Sequence, residues 1–134
     1  MVAVPRRSKR QAGRLPITAA EFRIMDAIWK LGRGTVADVE RALRRKLAYT
    51  TIMTTLRSLE RKGFVAHHAD GRTFVYTPVI DRKSTQQGVL DHLMGAFFDG
   101  SRSALMLHLV DESTADEKTR ARLRALLMIE ESEA

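Results

Sequence analysis

Residues 47–79, LAYTTIMTTLRSLERKGFVAHHADGRTFVYTPV, decide the fold, because the first half follows a helical period and the second half a strand period. If the first half is a helix with 100° per residue, its apolar side chains lie on one side and its hydroxyls and arginines on the opposite side. The core side consists of Ile52, Thr55, Leu56 and Leu59. The opposite side consists of Thr50, Thr54, Arg57 and Arg61, flanked by Thr51, Ser58 and Met53. Gly63 is typical of the position just past a helix end.

Two strand-like runs, residues 64–69 and 72–79, surround the pair Asp70-Gly71. Both runs are rich in β-branched and aromatic residues, and Asp-Gly between such runs is one of the strongest short signals for a tight β-hairpin. Pro78 lacks the N–H that a longer ladder needs, so the second strand should end there. The sequence therefore predicts an antiparallel hairpin directly after the helix.

Two more helices are predicted ahead of this stretch. Thr18 followed by Glu21 has the three-residue spacing of a capping box, and Thr35 followed by Asp38 repeats it. Gly32 should end the first helix. The apolar face of the first helix consists of Phe22, Met25, Ile28 and Trp29, and the predicted buried side of the second helix consists of Val36, Val39, Ala42 and Leu43. Three helices followed by a hairpin are the winged helix-turn-helix plan, so the predicted fold is mainly α with a small β-hairpin.

The polar side of the third helix carries the side chains that a DNA groove requires. Short hydroxyls near the helix N-terminus let the backbone approach and can bond base edges or phosphates, whereas arginines take guanine or phosphate through two parallel hydrogen bonds. The candidate DNA-binding residues of this helix are Thr50, Thr51, Met53, Thr54, Arg57 and Arg61. In a winged helix, Arg72 at the hairpin tip would reach the DNA backbone. The alternative is a plain amphipathic helix whose threonines lie in solvent.

The charge is unevenly distributed along the 134 residues. Residues 1–83 contain 18 Lys/Arg and 7 Asp/Glu, a net of +11, whereas residues 84–134 contain 5 and 9, a net of −4. A basic front favours contact with a polyanion, although a solvated basic surface gives the same count. Residues 1–14 are expected to form a flexible basic arm, because they have too few apolar side chains to order themselves. Arg6, Arg7 and Arg10 would add phosphate or minor-groove contacts, unless the arm is an unstructured tail.

Composition excludes several classes of function. The chain has no cysteine, so it has no disulfide, no thiol nucleophile and no cysteine-ligated metal. It has no glycine loop for a phosphate, and its histidines lack a carboxylate partner at motif spacing, so we expect neither an enzyme nor a cofactor. His67 and His68 point to opposite faces of a strand and cannot easily share a metal ion. Without a signal peptide or a long apolar run, we expect a cytoplasmic protein and no membrane span.

Residues 81–134 are predicted to form a three-helix dimerisation domain behind a winged-helix DNA-binding domain at residues 15–80. Ser101 or Ser103 would cap the fifth helix, and Thr114 with Glu117 would form a capping box before the sixth. About fifty residues in three short helices cannot bury their own apolar surface, so we expect a second copy of the chain to cover it. The alternative is a monomer whose rear segment folds back on its winged helix. The candidate dimerisation residues are Leu90, Leu93, Met94, Phe97, Leu105, Leu109, Leu123, Leu126 and Leu127.

Three stretches resemble the penicillinase-repressor (BlaI/MecI/CopY) family in their order and spacing. They are ITAAEFRIMDAIWKLG (17–32), YTTIMTTLRSLERKGFV (49–65) and HHADGRTFVYTPV (67–79). The resemblance implies a homodimeric transcriptional repressor that binds an inverted-repeat operator in double-stranded DNA and occludes the promoter. It also implies base contacts by Thr50, Thr51, Met53, Thr54 and Arg57, and backbone contacts near Gly71 and Arg72.

Two branches of that family bear on regulation. The copper-responsive branch ends in cysteine pairs, which this sequence lacks. In the β-lactam branch, a membrane sensor system leads to cleavage of the repressor in its dimerisation domain. That cleavage would fall near Phe97, Phe98 and Asp99, so a sensor-linked protease and β-lactam-response genes are implied as partner and target.

Two other classes of function remain open from the sequence. One is a winged helix that binds protein, whose reading face would be apolar or acidic rather than rich in threonine and arginine. The other is a repressor of another winged-helix type that senses a small molecule in a pocket between domains.

Overall fold

The structure, a computed structural model, describes residues 16–133. Its elements are α1 (Ala19–Leu31), α2 (Val36–Ala42), α3 (Tyr49–Arg61), β1 (Val65–Asp70), β2 (Thr73–Pro78), α4 (Arg82–Phe97), α5 (Arg102–Asp111) and α6 (Glu117–Glu133). Three helices followed by an antiparallel hairpin confirm the predicted winged helix-turn-helix plan. The predicted arm at residues 1–14 lies outside the described residues.

Contacts divide the chain into two units, with the division inside α4 between Val89 and Leu90. The predicted boundary between residues 80 and 81 falls just before that helix. The assignment of the front segment to DNA binding and of the rear segment to dimerisation stays a prediction.

The first two helices begin with the capping boxes that the sequence predicted. The Thr18 hydroxyl accepts from the Glu21 backbone N–H at 3.1 Å, and Glu21 accepts from the Thr18 N–H at 2.9 Å. Thr35 and Asp38 make the same two bonds at the start of α2. Gly32 ends α1 with a φ of 83°, which is a conformation that favours glycine.

The core of the first unit lies where the apolar faces of α1, α2 and α3 meet the base of the hairpin. Its least exposed members are Ile24, Met25, Ile28, Val39, Ile52, Leu56, Leu59 and Val65. Burying each such side chain contributes about 1.5–3 kcal/mol, so this cluster dominates the stability of the unit. The predicted core position of Ala42 is wrong. Ala42 is exposed because α2 ends there and the chain turns at Leu43.

The hairpin is shifted by one residue from the predicted turn. Asp70 pairs with Thr73, so the two-residue loop is Gly71-Arg72 rather than Asp70-Gly71. Gly71 has a φ of 65°, a conformation that glycine adopts without steric cost. At the other end of the hairpin, Tyr76 exchanges backbone hydrogen bonds with Gly34 at 2.8 and 3.0 Å. That bridge joins the hairpin to the loop between α1 and α2.

The start of α4 is tied to α1 by polar and aromatic contacts. The indole N–H of Trp29 donates to the Ile80 carbonyl at 3.0 Å. Asp26 forms an ion pair with Arg82 at 2.6 Å, and the Arg82 guanidinium lies 5.6 Å from the centre of the Phe22 ring. These contacts hold the chain leaving the hairpin against the first helix.

The second unit contains the helix pair α5 and α6. Ser101 caps α5 by accepting from the Ala104 N–H at 3.0 Å, which decides between the two predicted serines. The predicted capping box at Thr114 and Glu117 is wrong, because Asp116 accepts from the Thr119 N–H at 2.7 Å in that role. The helix begins at Glu117 and therefore takes the polar residue directly before it as its cap.

Candidate nucleic-acid interface

The outward face of α3 presents the predicted hydroxyls and arginines. Thr50, Thr51, Thr54, Arg57 and Arg61 are exposed, and Met53 is half-buried. The Thr54 hydroxyl donates to the Thr50 carbonyl at 2.8 Å. Since that bond uses the hydroxyl hydrogen, the lone pairs of the oxygen stay available to an outside donor such as a base amine.

The N-terminus of α3 lacks the side-chain cap that α1 and α2 have. Ala48 occupies the capping position, and no side chain of the described residues bonds to the first N–H groups there. These N–H groups carry the positive end of the helix dipole. An uncapped N-terminus beside exposed Thr50 and Thr51 is suited to a phosphate.

A cleft of ≈ 220 Å³ separates α3 from the hairpin. Arg57 of α3 and Arg72 of the hairpin loop both line it, so two predicted DNA-binding residues border the same cleft. Tyr49 and Phe74 also line it and are about half exposed, at 47% and 49%. Neither aromatic residue was among the predicted site residues. Phe74 could have been found, because it shares a strand face with buried Tyr76 and so points toward α3.

His67 links the hairpin to the last turn of α3. Its ring Nδ1 lies 2.6 Å from Glu60 Oε2, and its ring packs on Phe74 with the centroids 4.4 Å apart. His67 therefore has a carboxylate partner, although the sequence offered none at motif spacing. Glu60 lies seven residues before His67 and on a different element, so a search of the sequence by motif spacing does not find the pair. Burial raises the pKa of the adjacent Tyr76 hydroxyl, and the Glu60 charge raises it further.

A second polar link joins α3 to the start of α1. Buried Glu21 accepts from Lys62 Nζ at 2.8 Å and from the Ser58 hydroxyl at 3.3 Å. Burial alone raises the pKa of the Glu21 carboxyl, but the hydrogen bonds and charge of Lys62 and the bonds from Thr18 outweigh it, so the net pKa is lowered. Glu21 is therefore ionised at neutral pH and fixes the orientation of α3.

The remaining predicted residues lie in the second unit or outside the described residues. The exposed apolar side chains are Leu90, Phe97, Leu109, Leu123 and Leu126, together with Met106, Met128 and Ile129, which were not predicted. Leu93 and Met94 are half-buried, and Leu105 and Leu127 are buried. Arg6, Arg7 and Arg10 lie outside the described residues. Leu105 and Leu127 can therefore support a dimer interface but cannot line it in this conformation.

Two further properties concern residues 16–133 alone. Among the side chains that the structure describes, no three of His, Cys, Asp or Glu are placed to hold a metal ion. None of the described helices combines the length and hydropathy that crossing a bilayer requires.

Comparison with known proteins identifies the family. A family model described as "Penicillinase repressor" matches residues 17–129. This chain belongs to the penicillinase repressor family. Membership of this family confirms the prediction of a winged-helix, DNA-binding repressor.

Two relatives and one solved structure illustrate the similarity. The chain is 40% identical over 114 residues to "Transcriptional regulator BlaI" of Mycobacterium tuberculosis (strain CDC 1551 / Oshkosh), covering 82% of each chain. It is 31% identical over 97 residues to "Penicillinase repressor" of Bacillus licheniformis, covering 71% of this chain and 76% of that one. The crystal structure of the YusO protein from Bacillus subtilis aligns with a TM-score of 0.54 at 17% identity, covering 93% of this chain and 81% of that one. That last likeness concerns the fold alone.

Proposed function

We propose that this protein is a homodimeric, sequence-specific repressor that binds an inverted-repeat operator and occludes the promoter. One observation carries the proposal: Arg57 on α3 and Arg72 on the hairpin loop line the same cleft, and the exposed threonines of α3 lie on the same helix as Arg57. A groove-reading helix and a backbone-contacting hairpin are the two parts of winged-helix recognition. The protein would act by binding rather than by catalysis, on double-stranded DNA in the cytoplasm.

The threonines and Arg57 have different roles in this proposal. Thr50, Thr51 and Thr54 allow close approach of α3 to the major groove and bond base edges or phosphates. Met53 makes apolar contact, and Arg57, one turn further along, takes a guanine through two hydrogen bonds. Arg61, Gly71 and Arg72 would contact the phosphate backbone, to which Arg6, Arg7 and Arg10 would add.

Dimerisation is proposed through the apolar surface of the second unit. Phe97 is 73% exposed and Leu126 is 64% exposed. Contiguous apolar surface is rarely left to solvent, so a second copy of the chain is the proposed cover. A two-fold dimer would place two α3 helices on half-sites separated by one helical turn of DNA or a multiple of it.

Induction is proposed to occur by cleavage near Phe97, Phe98 and Asp99, through a sensor-linked protease that responds to β-lactams. Phe97 ends α4, and Asp99 has a φ of 51° in the connection to α5. An exposed connection of this kind is where proteolytic nicking concentrates. A blot for a shorter fragment after β-lactam exposure tests this step, and full-length protein that persists during induction would contradict it.

A protein-binding winged helix is the main alternative. It would need an apolar or acidic face on α3, whereas the exposed residues of this helix, apart from Tyr49 at its first position, are threonines and arginines. The chemistry of that face therefore favours nucleic acid.

The deciding experiment is selection of bound duplexes from a random DNA pool at moderate salt. Enrichment of an inverted repeat would support a dimeric sequence-specific repressor. Retention without enrichment would contradict sequence-specific reading, because only backbone contacts would then hold the DNA. Failure to retain any duplex would contradict the proposal and favour the protein-binding alternative.

A further inference from the structure

The turn between α2 and α3 contains two consecutive arginines in the left-handed backbone region. Arg44 has a φ of 55° and Arg45 a φ of 58°. A side chain in this region brings its Cβ close to the following carbonyl oxygen, and for that reason glycine, asparagine and aspartate are preferred there. The other described residues with positive φ follow that preference: they are Gly32, Gly63, Gly71, Asp99 and Gly100. The chain therefore accepts strain at this turn in order to place two arginines there.

The backbone of this turn is held without help from the arginine side chains. The Arg44 N–H donates to the Arg41 carbonyl and the Arg45 N–H to the Glu40 carbonyl, both at 2.9 Å. The Lys46 N–H donates to the Leu43 carbonyl at 3.2 Å. Main-chain bonds thus define the conformation, and a residue better suited to positive φ would satisfy them equally well.

The three basic side chains are also free to meet a partner. Arg44, Arg45 and Lys46 are exposed, and none forms an ion pair with a described residue. Arg41 differs, because its guanidinium is paired with Asp38. An unpaired cluster of three cations in succession is an electrostatic footprint for a polyanion.

The position of the turn indicates which polyanion. Only Leu47 separates Lys46 from Ala48, the N-cap residue of α3, whose helix start has no side-chain cap. The turn therefore lies directly before the N-terminus of the helix that is proposed to enter the groove. We propose that Arg44, Arg45 and Lys46 bind DNA phosphates beside the bases read by α3. The strained backbone would orient the two arginines toward those phosphates, since strained residues are often retained where they position a side chain for binding. This inference rests on the proposed function.

The test compares stability with DNA affinity in one double variant, Arg44→Gly with Arg45→Gly. The unfolding temperature should rise by several degrees, because the steric relief exceeds the entropy that glycine adds to the unfolded chain. Affinity for the selected duplex should fall, and the slope of log K against log salt should become shallower by about 0.9 for each phosphate that the variant no longer neutralises. Opposite changes in stability and affinity are expected of a binding residue and not of a structural one.

Two further double variants complete the design. Arg44→Asn with Arg45→Asn tolerates positive φ without charge and should show the same shallower slope. Arg23→Gln with Arg122→Gln removes two exposed charges elsewhere and should leave the slope near that of the wild type. An unchanged slope in both turn variants, or a fall in stability together with affinity, would overturn the inference while wild-type binding stands. Absence of wild-type binding to any duplex would instead overturn the proposed function and the inference with it.

Discussion

The imidazole Nδ1 of His67 lies 2.6 Å from Oε2 of Glu60, and the backbone N–H of His67 donates to the same oxygen at 3.0 Å. Glu60 belongs to α3 and His67 to β1. One side-chain pair therefore joins the helix proposed to read DNA to the hairpin proposed to contact the DNA backbone. We expect it to fix the position of Arg72 relative to Arg57.

Replacing His67 by alanine should weaken operator binding by at most about 1.5–3 kcal/mol, the scale of one hydrogen bond to a charged group. The loss follows because the hairpin is no longer held at one place on α3. Fluorescence anisotropy with labelled duplex measures it. His68→Ala is the matched control, since the neighbouring side chain points to the other face of the strand.

The same pair predicts coupling between His67 and Arg72. In the His67→Ala background, Arg72→Ala should cost less binding free energy than in the wild type, because Arg72 is already misplaced. A double-mutant cycle measures this difference. Strictly additive losses would show that His67 acts independently of the hairpin tip.

Glu21 predicts how stability depends on pH. Its pKa is lowered in the folded state, so the folded protein binds protons at this carboxylate less readily than the unfolded chain does. The stabilisation is present at neutral pH and is lost as the pH falls below the ordinary glutamate value of 4.5 and through the lower folded value. Urea midpoints of Glu21→Gln should therefore fall less steeply on acidification than those of the wild type.

Glutamine at position 21 keeps the capping bond to the Thr18 N–H and removes the charge that Lys62 neutralises. At neutral pH the variant should consequently be less stable than the wild type, and the two should converge in acid. Glu40→Gln serves as the control, because its side chain forms no ion pair with a described residue. Parallel acid profiles of wild type and Glu21→Gln would contradict the assignment.

Local sequence signals were sufficient for most of the first unit. Thr18 and Thr35 each decide a helix start through a residue three positions away, and the core side of α3 follows from a 100° period. The contacts of Glu60 with His67 and of Glu21 with Lys62 could not be predicted, since they join elements whose packing depends on the whole core. The prediction of the α6 cap was wrong for a local reason, because threonine (Thr114) and aspartate (Asp116) suit a helix N-cap almost equally.

Leu126 provides a test of the proposed dimer. A glutamate at this exposed position is tolerated in a monomer, but in an apolar interface it would be a buried, unpaired charge costing about 3–5 kcal/mol. Sedimentation velocity of Leu126→Glu should therefore show monomers where the wild type forms dimers. Arg23→Glu, an exposed position on α1 in the first unit, should leave the dimer intact. Unchanged association of Leu126→Glu would place the interface elsewhere.

Arg57 and Arg61 should differ although both are exposed arginines of α3. Arg57 lines the cleft with Arg72 and is proposed to read a guanine, so Arg57→Ala should cost about 1–3 kcal/mol and relax specificity at one base pair of each half-site. Arg61 is the last residue of α3 and is proposed to contact phosphate, so Arg61→Ala should weaken all duplexes alike. Repeating the random-pool selection with each variant separates the two roles. If Arg57→Ala retained the full wild-type consensus at lower affinity, its role would be phosphate contact, and base reading would have to rest on the threonines alone.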